Sequence, residues 1–133
     1  MSHFRPSSFL RRSLILDAVA SGATGALMLA GAGLLEGWLG LPAALMRAAG
    51  LVLVPYVAFV GYLATRDTLT PAPVWTVIAA NALWAVASVG LLLSGWIAPT
   101  WLGYAFVLAQ AAVVAAFGEL QYVGMRRPAP ALA

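Results

Sequence analysis

Four long apolar runs, separated by connections of only a few residues, constrain this chain more than anything else in it. They extend from about Ser13 to Leu35, Pro42 to Ala64, Pro73 to Leu93 and Trp101 to Val123. A helix needs about 20 residues to cross the roughly 30 Å of hydrocarbon in a bilayer, so each run is long enough to span. A helix satisfies its own backbone inside lipid, whereas strands would need a closed barrel with alternating sidedness that these uniformly apolar runs lack. Composition removes the soluble alternative: 63% of the 133 residues are hydrophobic and 8% are charged, too few polar groups to cover a water-facing surface. The sequence predicts an all-α membrane protein, a single bundle of four transmembrane helices, with flexible termini over residues 1–10 and 128–133.

Turn-forming residues punctuate the runs: Gly37, Gly40 and Pro42; Thr68, Thr70, Pro71 and Pro73; Gly95 and Pro99. Pro42, Pro73 and Pro99 stand where a proline starts a helix at little cost. Pro55 falls inside the second run, where it frees a carbonyl and predicts a packing kink. The arginines give the orientation, because short cytoplasmic segments accumulate positive charge. Arg5, Arg11, Arg12, Arg66, Arg126 and Arg127 belong to one side and only Arg47 to the other, which predicts both termini in the cytoplasm. The first run, of spanning length and interrupted by Asp17, reads as a retained helix and not a cleaved leader. Trp and Tyr prefer the interfaces, and Trp38, Trp96, Trp101 and Tyr104 fall at the predicted outer boundary, Trp75 and Tyr122 at the inner one.

Few residues remain to carry chemistry. There is no Cys, so thiolate metal sites and disulfides are excluded, and the single His, His3 near the start, argues against a histidine-ligated haem. No phosphate loop, HExxH motif or nucleophile elbow occurs, and the split arginines form no face for nucleic acid. The expectation is a chain that is not an enzyme and carries no cofactor or metal. An ionisable group inside a bilayer is a functional candidate by default. Asp17 and Glu119 both fall on the cytoplasmic side, where Arg11, Arg12, Arg126 and Arg127 predict an ion-pair collar. The competing reading makes Asp17 a proton or substrate site assisted by Glu119, Ser21, Asn81 and Gln110. Ser21, Thr24 and Met28 continue the face of Asp17 at helical spacing. Asn81 and Gln110, each near the centre of its run, predict a mutual hydrogen bond, and Glu36 with Arg47 predicts an outer latch. Ala18, Gly22, Gly25, Ala26 and Gly33 form a small-residue surface that predicts a close helix contact in the first run. Helices one and four are the expected central pair.

The stretch LDAVASGATGALMLAGAGLLEGWLGLP from Leu16, followed by Arg47, and the ending FGELQYVGMRR at Phe117–Arg127 resemble small, uncharacterised bacterial integral membrane proteins of four helices. That resemblance implies a multi-pass protein of the bacterial inner membrane and no particular activity. In size and layout the chain is also similar to the small multidrug resistance exporters, whose first helix carries an essential acid. Asp17 would occupy that position, with Asp in place of their Glu. The leading expectation is a non-enzymatic membrane protein that acts through helix packing, as a homo-oligomer or as an accessory subunit of a membrane complex. The alternative is a small proton-coupled transporter or channel using Asp17. A quinone or other small molecule held near Trp84 and Tyr56 is a third, lesser reading.

Overall fold

The computed structural model describes residues 2–127, and these form four helices joined as antiparallel hairpins: α1 (Ser8–Leu39), α2 (Ala43–Thr65), α3 (Pro71–Ser94) and α4 (Trp101–Arg126). Each is long and apolar enough to cross a membrane. Met1 and residues 128–133, the latter expected to be flexible, lie outside the described residues.

Local chemistry, which hydropathy does not register, sets the helix ends. The Ser7 hydroxyl accepts from the Leu10 amide at 3.1 Å, so α1 begins at Ser8 and not near Ser13, and Arg11 and Arg12 lie inside it. At the other end Gly40 takes a left-handed conformation, φ 68°, and its amide donates to the Glu36 carbonyl, so α1 runs to Leu39 and not Leu35. Thr100 caps α4 by accepting from Gly103, and it also closes α1: its amide donates to the Leu39 carbonyl and its hydroxyl to that of Trp38. Helix α2 continues through Pro55. Within residues 1–10, Phe4 exchanges two 2.8 Å backbone bonds with Leu69, which ties the start of the chain to the α2–α3 connection.

Helix α1 packs most extensively on α2, α4 packs on α3 and α1, and α2 and α3 barely touch. The order across the bundle is therefore α2, α1, α4, α3, with α1 and α4 central. In lipid no hydrophobic drive separates helix from solvent, so close van der Waals contact must supply the association. At Gly50 of α2 a Cβ would lie 2.8 Å from Leu29 Cγ and 3.1 Å from the Gly25 carbonyl, so the α1–α2 crossing depends on bare backbone there. Of the small residues in α1, Gly22 and Gly25 face α2, Ala18 packs beside the inner core, and Ala26 and Gly33 are exposed.

Two apolar clusters close the bundle. One, at the end holding the α2–α3 connection, contains Leu10, Leu14, Val60, Leu63, Val74 and Val77. The other, at the opposite end, contains Met28, Leu39, Leu41, Met46, Leu53 and Val107. The outer faces are apolar as well, with Leu16, Val19, Leu83, Val86 and Leu93 all exposed, as suits a surface whose solvent is lipid.

A buried carboxylate and the cavity beside it

Between the two clusters lies a polar junction to which every helix contributes. Asp17 is nine residues in from the start of α1, Tyr56 nine before the end of α2, and Asn81 ten in from the start of α3. At 1.5 Å rise per residue all three lie about 14 Å from the same end of the bundle. Gln121 reaches up to them from the last turns of α4. Asp17 and Gln121 are fully buried, at 0% exposure.

Four donors converge on the Asp17 carboxyl. Ser21 donates its hydroxyl to Oδ1 at 2.9 Å, while Oδ2 takes the Tyr56 hydroxyl at 2.7 Å, Asn81 Nδ2 at 3.0 Å and Gln121 Nε2 at 2.7 Å. Asn81 Nδ2 also donates to Gln121 Oε1 at 2.8 Å, and Tyr56 lies 3.0 Å from Asn81 Oδ1. The amide orientations follow from the network: turning Asn81 over would set its oxygen against both Asp17 Oδ2 and Gln121 Oε1. The environment of Asp17 solvates a carboxylate from all sides of the bundle.

The arrangement corrects the expected ion-pair collar. The partners of Asp17 are Ser21, Tyr56, Asn81 and Gln121, none of them a cation. Arg11 is six residues earlier in α1, about 9 Å along the axis and on another face. It donates instead to the Ala64 carbonyl and, at 2.8 Å, to the Arg66 carbonyl, capping the C-terminal end of α2 where a cation is favoured. Arg126 lies over the Tyr122 ring and Arg127 over Phe9. Glu119 is exposed on α4. It stands two residues from Gln121, hence about 200° around the helix, and the amide is the one turned inward. Of the five residues grouped as a candidate site, the fold brings together Asp17, Ser21 and Asn81 and leaves Glu119 outside.

Gln110 is also elsewhere. Its Oε1 accepts from Trp84 Nε1 at 2.8 Å, and its Nε2 donates to Ser88 Oγ at 3.0 Å and to the Val107 carbonyl at 2.8 Å. The expected Asn81–Gln110 bond does not form because α3 and α4 run antiparallel. Gln110 is level with Ser88, and Asn81 lies seven residues, or about 10 Å, nearer the other end. Asn81 is instead level with Gly118, where an added Cβ would be 3.3 Å from its own Cβ. Glu36 likewise turns to backbone: its carboxylate accepts from the Ala43 amide at the start of α2, and not from Arg47.

Beside the junction the separation of α2 from α3 leaves a cavity of about 590 Å³. Ser21, Tyr56 and Asn81 form its polar end, Thr24, Trp84 and Gln110 add polar groups along it, and the rest of the wall is aliphatic or aromatic. Val52, Leu83 and Val113, all exposed and near the middle of their helices, also line it. These exposed lining residues give the cavity a lateral opening at mid-depth of the bundle. Tyr56, named with Trp84 only for a small-molecule pocket, and Gln121, not named for any site, complete the junction. Gln121 shares a face of α4 with Gln110 and Gly118, and that spacing was the one signal for it.

Comparison with family models, with curated proteins and with solved structures returns no match to this chain.

Proposed function

We propose that this multi-pass membrane protein binds a lipophilic small molecule in its mid-bundle cavity and performs no covalent chemistry of its own. The observation that carries the reading is the cavity itself: a volume of about 590 Å³, apolar walls, polar groups at one end and a lateral opening at lipid depth. Ligand sites in helical proteins have this form, with volumes of about 300–1,000 Å³ and a few convergent polar groups. A ligand dissolved in the bilayer would enter without crossing water. The buried junction around Asp17 holds the four helices in register so that the cavity persists.

A cavity-filling variant tests the reading. In nanodiscs, binding of an environment-sensitive naphthalene dye should weaken tenfold or more in Ala80→Phe, a substitution in the wall of the cavity. Unchanged binding in a folded Ala80→Phe protein would rule it out.

This reading takes up the third expectation from the sequence, a small molecule near Trp84 and Tyr56, and the other two rank lower. A proton-coupled transporter needs water at its acid, and Asp17 sits at 0% exposure behind Ser21, Tyr56 and Asn81, with the Leu10–Leu14–Val60 cluster between it and the near end. An oligomeric or accessory role draws on the small residues of α1, of which Gly22 and Gly25 are taken up by α2 of the same chain, leaving Ala26 and Gly33 for a partner.

We further place both termini and the α2–α3 connection on the cytoplasmic side of a bacterial inner membrane, on the strength of the arginine distribution. The chain lacks cysteine, so single cysteines report cleanly. With a membrane-impermeant maleimide on intact cells, Trp96→Cys should label and Asp67→Cys should label only after permeabilisation. The reverse pattern would invert the topology.

A further inference from the structure

Six polar side chains line the cavity, and their hydrogens are already committed. Ser21 donates to Asp17 and Thr24 to the Ala20 carbonyl. Asn81 Nδ2 donates to both Asp17 and Gln121, Trp84 donates to Gln110, and Gln110 Nε2 donates to Ser88 and to the Val107 carbonyl. Tyr56 has one hydroxyl hydrogen, and two oxygens compete for it: Asp17 Oδ2 at 2.7 Å and Asn81 Oδ1 at 3.0 Å. When the shorter bond takes it, Asn81 Oδ1 is left wanting a donor. Each hydroxyl oxygen of Ser21, Thr24 and Tyr56 also keeps lone pairs, since a hydroxyl accepts twice and donates once. The polar end is thus rich in acceptors and has no hydrogen to give.

From this imbalance we infer that the cavity selects a lipophile that donates a hydrogen bond, a hydroxyl-bearing ring compound such as a phenol or a quinol, over its ether or its quinone. The inference rests on the ligand-binding reading above and adds the class of ligand. A ring carbonyl placed at this end would face Asn81 Oδ1 and the hydroxyl oxygens, acceptor against acceptor, and would lose its own hydrogen bonds on entering. A hydroxyl in the same place supplies the hydrogen that the Tyr56–Asn81 pair lacks. The apolar wall holds the ring, and the lateral opening admits it from the bilayer.

The test uses matched probes on the full chain in nanodiscs, each corrected for partition into empty discs. Trp84 lies in the cavity wall, so a variant with Trp38, Trp75, Trp96 and Trp101 replaced by Phe reports occupancy through Trp84 emission alone. 2-Naphthol should bind about tenfold more tightly than 2-methoxynaphthalene, the increment expected of a single additional hydrogen bond in a dry site. Under anaerobic conditions duroquinol should outbind duroquinone in the same sense. Ala80→Phe should remove binding of all four. Equal binding within each pair, or tighter binding of the ether and the quinone, overturns the donor inference and leaves the cavity a general lipophile site. If no probe exceeds the empty-disc background, ligand binding itself fails, and the inference with it. A hydroxyl preference that survives in Ala80→Phe locates the binding elsewhere and also overturns the inference.

Discussion

Asp17→Leu is expected to lower the stability of the reconstituted protein by about 3 kcal/mol, measured by titrated SDS unfolding. The substitution removes the acceptor for four donors in one step. One of them has somewhere to go: Tyr56 can give its hydrogen wholly to Asn81 Oδ1. The Asn81 and Gln121 amide hydrogens that met Asp17 are orphaned at buried positions, and an orphaned buried donor costs about 1–3 kcal/mol. The three interhelical bonds to Asp17, at about 0.6 kcal/mol each, the average found in membrane proteins, give a loss of about 2 kcal/mol, in the same range. Asp17→Asn should be milder, at about 1 kcal/mol. Its oxygen can serve Tyr56, Asn81 and Gln121, while its amide nitrogen meets Ser21, whose hydroxyl can turn and accept. Adding Gln121→Leu to Asp17→Leu should recover little, because it removes the orphaned Gln121 donor but also the Oε1 that accepts from Asn81 Nδ2. A loss below about 0.5 kcal/mol in Asp17→Leu would mean that the junction does not hold the bundle. If Asp17→Asn abolished proton flux while leaving stability unchanged, a transport role for the carboxyl would replace the structural one.

The second large effect is expected at the opposite end. A Cβ on Gly103 would run into the Leu39 carbonyl oxygen and would lie 2.8 Å from Pro99 Cβ and 3.0 Å from the Leu39 carbonyl carbon. The obstacles are backbone and a proline ring, which cannot swing aside as a long side chain can. Gly103→Ala therefore has to pry the start of α4 from the end of α1, at the place where Thr100 satisfies the Trp38 and Leu39 carbonyls. Overpacking of this kind costs about 1–3 kcal/mol, and the lost cap places this site toward the upper end. Gly61→Ala and Gly90→Ala are the controls, since nothing lies within 4 Å of a Cβ at either position. Both should be neutral or stabilising, because Ala favours a helix over Gly by up to about 1 kcal/mol. Equal behaviour of all three variants would show that the α1–α4 contact contributes nothing.

The two sites illustrate what could be read in advance. The inward placement of Ser21 and Asn81 beside Asp17 was legible in part, because a polar residue in an apolar run has to face protein. Its partners were not. Asn81 and Gln110 each stand near the middle of a run, yet the antiparallel course of α3 and α4 separates them by two turns and pairs them with Gln121 and Trp84 instead. Glu119 and Gln121 differ by two positions, and only the rotation of α4 decides which of them enters the junction. The ends of α1 were misplaced by a few residues because caps at Ser7 and Gly40, and not hydropathy, terminate it.

The sequence by itself determined that there are four helices long and apolar enough to span a bilayer and that their connections are short, because the cost of exposing backbone and polar groups to hydrocarbon is paid locally, residue by residue. The tertiary structure decided that Asp17 is served by Tyr56, Asn81 and Gln121, that Arg11 caps α2, and that α2 stands far enough from α3 to leave a cavity. Those outcomes depend on the rotation and crossing of each helix. Lipid is indifferent to which apolar face it meets, so hydropathy leaves both free, and close contacts such as Gly25 with Gly50 and Gly103 with Leu39 fix them.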